Sequence, residues 1–154
     1  MATISASAPV AGEPGIVRRP YLLEQVVDFA VIAAAVTIGT TDTVQVLKVP
    51  AYTWISSAGW EVLTAETANT SAQVELGDGS DPNRWVASAT IAATGVSTPV
   101  ATTSALGVYP AAAETVDLLI SVDDPTNAKL RVWALCTDVK PVANASDRLT
   151  WTSA

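Results

Sequence analysis

Histidine is absent from this 154-residue chain, and cysteine occurs once, as Cys136. Without histidine there is no imidazole to act as general base, triad member or metal ligand. A single cysteine excludes an internal disulfide and a cysteine-ligated zinc site. Because Cys136 lies in an apolar, strand-like stretch, we expect a buried thiol with no activating base. We therefore expect a protein that is not an enzyme and has no cofactor.

Charge is also scarce, and most of it is negative. Charged residues make up 15% of the chain, with 8 Lys and Arg against 15 Asp and Glu, a formal net charge of −7. Binding to nucleic acid needs a basic surface that replaces phosphate counterions, so we expect no nucleic-acid partner. The longest apolar run, 29–36, is far shorter than the ~20 residues of a membrane helix. The N-terminus also lacks the basic and apolar regions of a signal peptide. We expect a soluble protein, made in a reducing cytoplasm, with no membrane partner.

Hydrophobic residues make up 49% of the chain, which is enough apolar surface to offset the entropy lost on folding. The length fits one domain. Residues 1–20 are rich in Ser, Ala, Pro and Gly and show no hydrophobic period, so we predict an extended or disordered N-terminal arm. We assign 21–140 to a β-sandwich domain and 141–154 to a C-terminal tail.

After residue 20, apolar and polar residues alternate in short runs, which predicts strands. The alternation is clearest in 72–76, 114–122 and 130–136. In 43–49 apolar residues fall on both faces, which is typical of a bulge or of a strand covered on both sides. Seven or eight such strands with turn signals between them predict an all-β, single-domain β-sandwich, jelly-roll-like in architecture.

Two connections are less regular than these strands. Residues 21–28 have strand character although their apolar spacing also fits a helix, and we predict a strand followed by a helical turn over 29–35. Residues 123–128 all favour turns. We therefore predict a hairpin that joins the strand at 114–122 to the strand at 130–136.

The segment 75–85 (ELGDGSDPNRW) is the strongest candidate for a ligand loop. Asp78 and Asp81 could offer oxygen ligands to calcium, but their spacing does not match an EF-hand. Gly, Asp, Ser, Pro and Asn are also the residues of a tight turn, so a turn is the simpler interpretation and these two acids stay as candidate metal ligands. For glycoside hydrolysis, no two carboxylates can be placed across a cleft from the sequence.

Five tryptophans stand beside a single phenylalanine. Trp54, Trp60 and Trp85 are predicted to fill an alanine-rich core. Trp133 falls on the face opposite the inward row of its strand, where aromatic residues are typical of a protein interface. Trp151, in the tail, fits either an interface or a platform that stacks on sugars.

The predicted arm closes on a cationic pair, Arg18 and Arg19, in an otherwise acidic protein. Two interpretations are open for it. The pair is either solvated or docks on an acidic neighbour. With Trp133 and Trp151, these two arginines are our candidate residues for an interface with a partner protein or another subunit.

Four stretches carry a resemblance to a known class of proteins: 42–51 (DTVQVLKVPA), 59–65 (GWEVLTA), 74–86 (VELGDGSDPNRWV) and 129–135 (KLRVWAL). They resemble small structural proteins of tailed-bacteriophage particles. The resemblance implies a β-sandwich that binds the major capsid protein on the outside of the virion as a decoration or cement protein, commonly as a homotrimer. The alternative is a phage tail, fibre or receptor-binding module that recognises host glycans.

Overall fold

The structure is a computed structural model that describes residues 19–97 and 112–139. These residues form eight strands and one short helix, so the predicted all-β class is confirmed. The elements are β1 (Pro20–Asp28), α1 (Phe29–Ala35), β2 (Thr43–Val49), β3 (Thr53–Thr64), β4 (Gln73–Asp78), β5 (Asp81–Thr90), β6 (Gly95–Ser97), β7 (Glu114–Val122) and β8 (Lys129–Asp138).

The strands form two four-stranded antiparallel sheets, with strand orders β1-β8-β3-β6 and β2-β7-β4-β5. The first strand pairs with the eighth, the second with the seventh, the third with the sixth and the fourth with the fifth. This is a long hairpin wrapped over on itself, with further pairs β3–β8 and β4–β7 that complete the sheets. Eight strands wrapped in this way into two facing sheets form a jelly roll.

The core lies between the two sheets, because inward side chains of both sheets alternate with outward ones. Trp60 and Trp85 are fully buried, as predicted for core fillers. Cys136 is also buried, and burial raises the pKa of its thiol to about 11, so it is un-ionised at neutral pH. The apolar residues on both faces of β2 reflect a bulge between Gln45 and Leu47.

Trp54 was predicted in the core, and that prediction is wrong: its side chain points outward and is 47% exposed. The reason is a change of register in β3 between Ile55 and Ser57. In a regular strand Trp54 and Trp60 would lie on the same face of the sheet. One extra residue between them moves the side chains after the bulge to the opposite face, so Trp60 points into the core and Trp54 points outward.

The predicted strand at 21–28 and helical turn at 29–35 are confirmed by β1 and α1. Asp28 caps the helix, since its carboxylate accepts a hydrogen bond of 3.1 Å from the Ala30 amide. Phe29 anchors the helix in the core with no exposed surface. Among the described residues no helix is both long and apolar enough to span a membrane.

The predicted hairpin between β7 and β8 is wrong, because the two strands lie in different sheets. Turn residues at 123–128 do reverse the chain, but they carry it from one sheet to the other. Sequence alternation cannot separate the two cases, since the inward rows of both strands face the same core. The boundaries at 20 and 140 between arm, domain and tail stay predictions.

Candidate functional site

The outer face of the β1-β8-β3-β6 sheet carries large apolar side chains at one end. Leu22 is 55% exposed and pairs with Leu135, which is 38% exposed. Trp54, on β3, pairs with Thr137, which is the next residue on the outer face of β8 after Leu135. Trp133 is half-buried and lies two residues before Leu135, on the same face of β8. We call Leu22, Trp54, Trp133 and Leu135 the apolar outer patch.

Trp133 faces outward, as predicted, and its cross-strand partner on β3 is Gly59. Gly59 is buried although it belongs to the outer face. A glycine inside a strand leaves the space that a side chain would fill, which suits the close approach of a large neighbouring ring. On β1 the cross-strand partner of Trp133 is Glu24, an exposed acid, so the patch combines an aromatic ring with apolar and acidic neighbours.

The other end of this face mixes charged and apolar side chains, since exposed Val26 pairs with Arg131 and exposed Val96 pairs with Glu61. Arg131 lies 2.5 Å from Glu61, and Lys129 lies 2.8 Å from Asp28. The hydrogen bond from Lys129 lowers the pKa of the Asp28 carboxyl. Both pairs are partly exposed, so each adds little to stability, but they border the apolar end with polar groups. The face therefore combines exposed apolar side chains with ion pairs, and both kinds of group occur in protein interfaces.

The second sheet carries the loop that held the candidate metal ligands. Asp78 is buried and accepts hydrogen bonds from the Ser80 amide at 2.9 Å and from the Asp81 amide at 2.9 Å. The Arg84 guanidinium lies 2.6 Å from the same carboxylate. Burial opposes ionisation of Asp78, but the bonds from Arg84 and Ser80 outweigh it and lower the pKa.

The Asp81 carboxylate also faces Arg84, at 3.9 Å. A cation bound by Asp78 and Asp81 would therefore have to displace a guanidinium that already neutralises them. In residues 19–97 and 112–139 no group of three or more acidic, cysteine or histidine side chains could hold a metal ion. The contacts of both acids are those of a closed turn between β4 and β5.

Asp117 is a site residue that the sequence analysis missed. It faces outward from β7, as the alternation predicts, yet it is only 6% exposed, because the β4–β5 turn covers it. Gly77 pairs with Asp117, and a Cβ atom on Gly77 would lie 2.0 Å from the Asp81 carbonyl oxygen. Only glycine permits that approach. The sequence signal for this packing is the pair of glycines, Gly77 and Gly79, on either side of Asp78.

Glu66, in the loop after β3, is fully buried. One carboxylate oxygen accepts from the amides of Ala68 and Asn69, and the other accepts from the amides of Thr126, Asn127 and Ala128. Burial disfavours the charge, but these backbone hydrogen bonds prevail and lower the pKa to about 2. Glu66 thus ties the β3–β4 loop to the β7–β8 connection.

The remaining predicted residues lie apart from one another or outside the described residues. Arg19 is exposed and directly precedes β1. Arg18 and Trp151 lie outside the described residues. Asp123 accepts from the Ser71 hydroxyl and Asp124 accepts from the Thr40 amide at 3.0 Å, so both carboxylates make loop contacts.

Comparison with known proteins finds chains of similar structure among solved structures. No family model matches the chain, and no curated protein matches it. A chain in the cyanophage Pam1 capsid asymmetric unit is similar at a TM-score of 0.60 and 22% identity, over 88% of this chain and 97% of that one. A chain in the acidic stable capsid structure of Helicobacter pylori bacteriophage KHP30 has a TM-score of 0.57 and 13% identity, over 79% and 90%. A chain in the capsid of Ralstonia phage GP4 has a TM-score of 0.56 and 14% identity, over 88% and 92%.

These similarities establish a shared fold. Each similarity extends over 79–88% of this chain and 90–97% of the other chain. The protein therefore shares its fold with these three chains.

Proposed function

We propose that this protein is a virion structural protein that binds the outside of a bacteriophage capsid as a decoration or cement protein, without catalysis. The observation that carries the proposal is the jelly roll shared nearly end to end with chains from three phage capsid structures. Such a protein stabilises the assembled shell by mass action, because it binds the assembled form in preference to free subunits.

The apolar outer patch supports a role in protein contact. Leu22 and Trp54 are each about half exposed on one sheet face, and two ion pairs lie at the other end of that face. Aromatic and aliphatic anchors at the centre of such a face are where interface energy concentrates. The proposed partners are the major capsid protein and two further copies of the chain in a homotrimer.

Four residues are proposed interface contacts. Arg18 and Arg19 would bring the arm onto an acidic neighbour, Trp133 would contact the partner from the sheet, and Trp151 would do so from the tail. Of these, Arg19 is exposed and Trp133 is half-buried within the patch. The net charge of −7 favours the capsid exterior, away from packaged DNA, after synthesis in the host cytoplasm.

The test is binding of the purified protein to particles stripped of it, followed by sedimentation. We expect Trp133→Ala to weaken binding by tenfold or more, about 1.4 kcal/mol, while Val31→Ala is the matched control. Val31 is 66% exposed but lies on α1, away from the patch. Deletion of residues 1–20 should also weaken binding. Unchanged binding by the Trp133 variant and by the deletion would contradict the proposal.

The alternative, a tail or receptor-binding module for host glycans, draws on one observation. Trp54 is 47% exposed on a flat face, as a sugar-stacking platform requires. A glycan array separates the two functions. Specific glycan binding that Trp54→Ala abolishes would favour the alternative, and an array without binding, together with retained capsid binding, would favour decoration.

A further inference from the structure

The strand β1 has one open edge. It stands at the end of the β1-β8-β3-β6 sheet and pairs with β8 alone within residues 19–97 and 112–139. An edge strand presents amide and carbonyl groups to which a further extended segment can bind. The free side of β1 is therefore a place where a strand can be added to the sheet.

The other three edge strands carry features that oppose such an addition. β2 has a bulge after Gln45 and a lysine, Lys48, β5 has Pro82 and two changes of register, and β6 is three residues long. In contrast, β1 pairs in unbroken register over nine residues, and its proline is its first residue. Among the described edges, β1 alone is both long and regular, which is the kind of edge that accepts another strand.

The core is also open along β1. Of the side chains that point inward, Val27 is buried, but Tyr21 and Leu23 are only half-buried and Gln25 is exposed. Beside Gln25 and Val27, a cavity of about 420 Å³ opens between β1, α1 and β2. Its apolar lining consists of Val26, Val27, Val31, Ile32, Val44 and Val46. A strand beside β1 would cover the inward row and could place a large apolar side chain in this cavity.

Residues 4–8 (ISASA) of the N-terminal arm have the pattern of such a strand. Ile4, Ala6 and Ala8 alternate with Ser5 and Ser7, so one face of an extended segment is apolar and the other is polar. Most of these side chains are small, so they create no hydrophobic period in the arm as a whole. A short strand on a sheet edge needs only this local alternation.

A turn signal separates this segment from β1. The dipeptide Pro14-Gly15 is typical of turns. A turn centred on it would lead the arm back along β1 in the antiparallel direction. The opposite pairs would then be Ala8 with Tyr21, Ala6 with Leu23 and Ile4 with Gln25. This register puts the apolar face of 4–8 over the inward row of β1, whereas a shift by one residue would put the serines there. The turn and the alternation thus indicate the same register.

We propose that residues 4–8 bind the open edge of β1 in their own chain as an added antiparallel strand, with Ile4 in the cavity between β1, α1 and β2. A segment tethered to its binding site has an effective concentration of roughly millimolar, which favours it over the same segment of a second copy. The inference does not rest on the proposed capsid role, because it concerns contacts within one chain.

The first test is a disulfide bond between the added strand and β1 in the full chain. In the proposed register Ser7 lies opposite Leu22 on the outer face, at a Cα separation of about 5 Å that a disulfide can span. Ser7→Cys combined with Leu22→Cys should form a bond within one chain, detected by non-reducing electrophoresis and peptide mass. Leu22 is exposed and the native Cys136 is buried, so the core stays intact and the native thiol does not compete.

The matched control combines Ser7→Cys with Val96→Cys. Val96 is also exposed but lies on β6, at the far edge of the same sheet. We expect this pair to oxidise at least about tenfold more slowly, because the two sulfur atoms are not held at bonding distance. Equal rates for the two pairs, or a bond between two chains instead of within one, would overturn the proposal.

Amide hydrogen exchange along β1 gives a second readout. Ala6→Lys should speed the exchange of the β1 amides that face the open edge by about tenfold or more, because a lysine on the inward face would bury its charge and release the arm. Ser7→Lys makes the same change one residue along, on the face that points to water, and should leave the exchange unchanged. Equal exchange rates in the two variants would overturn the proposal.

Discussion

Two buried carboxylates in this protein differ in almost everything except their burial. Glu66 and Asp117 are 0% and 6% exposed. Glu66 accepts six hydrogen bonds, five from backbone amides and one from the Thr126 hydroxyl, and its pKa is lowered to about 2. Asp117 has a buried oxygen with no donor within the described residues, and its pKa is raised.

The difference shows that burial alone does not decide the charge of an acid. Donors must be built around it, and two loops supply them to Glu66, whereas the β4–β5 turn covers Asp117 without supplying any to Oδ1. An acid with all its donors in place holds the fold together. An acid that lacks one favours its protonated form, because nothing compensates the loss of water around the charge.

The largest effect is expected for Glu66→Gln. Glutamine keeps one acceptor oxygen and replaces the other with an NH2 group, so the backbone amides of one of the two loops would lose their acceptor and face a donor instead. We expect a loss of roughly 3 kcal/mol in the free energy of unfolding, measured by urea denaturation at pH 7. Glu75→Gln, a half-buried acid on β4, is the matched control and should change it by no more than about 0.5 kcal/mol.

The pH dependence of the same carboxylate gives a second readout. Its pKa is about 2 in the folded protein against an ordinary 4.5, so its stabilisation is present above 4.5 and is lost as pH falls from there through about 2. The difference in stability between wild type and Glu66→Gln should shrink over that interval. A difference that stays constant down to pH 2 would contradict the role of the charge.

Gly77→Ala should open the cover over Asp117. The new Cβ would lie 2.0 Å from the Asp81 carbonyl oxygen and 2.3 Å from the Pro82 carbonyl carbon, and backbone atoms cannot rotate away. We expect a loss of roughly 2 kcal/mol by thermal denaturation. Gly79→Ala is the matched control, since its Cβ would meet only the Glu114 carboxylate at 3.5 Å. Equal stabilities of the two variants would show that the turn does not pack as described.

Asp117→Asn should act in the opposite direction to Glu66→Gln. A raised pKa means that the stabilising contribution of Asp117 is present below its ordinary value of 3.8 and is lost as pH rises through the folded pKa. Around it lie Asp78, held by Arg84, and Glu114. Asparagine resembles the protonated acid, so we expect a gain of about 1 kcal/mol at pH 7, within the range of single substitutions, and no gain below pH 3.8. A loss at pH 7 would contradict the unpaired state of the carboxylate.

The smallest effect is expected for an acid on the surface. Glu61 pairs with Arg131 in a partly exposed position, where Coulomb attraction is screened by water. Glu61→Gln should cost about 0.5 kcal/mol or less by urea denaturation, and less still at high salt. A cost comparable to that of Glu66→Gln would mean that the number of hydrogen-bond donors around a carboxylate does not determine its contribution to the free energy of unfolding.

Alternation of side chains was sufficient to predict the class and the main strands of this fold. The inward rows of β4 and β8, the bulge in β2 and the step from β1 to α1 all follow from local patterns of residues. Sheet membership does not, because a β-sandwich places the inward rows of both sheets on one core. That is why the connection between β7 and β8 was predicted as a hairpin.

The sites were harder to predict than the strands. Trp133 could be placed outward from alternation alone, but Trp54 could not, since the bulge before Ser57 changes the face of the later residues. Glu66 stands between Ala65 and Thr67, and Asp117 stands on the outward row of β7 between Val116 and Leu118. Neither setting predicts burial, because the burial of both acids depends on loops that come from distant parts of the chain. Gly77 is the sequence feature that indicates this packing, because the close approach of the Asp81 and Pro82 backbone requires a glycine there.

The measurement that tests the proposed decoration role most directly is the number of copies of this protein in purified phage particles. Quantitative mass spectrometry gives that number relative to the major shell protein. A decoration protein should be present at a fixed ratio near one copy per shell subunit, or at one trimer per repeating position of the lattice. A handful of copies per particle would contradict capsid decoration and leave the tail or receptor-binding role in its place, whereas no copies at all would contradict both roles.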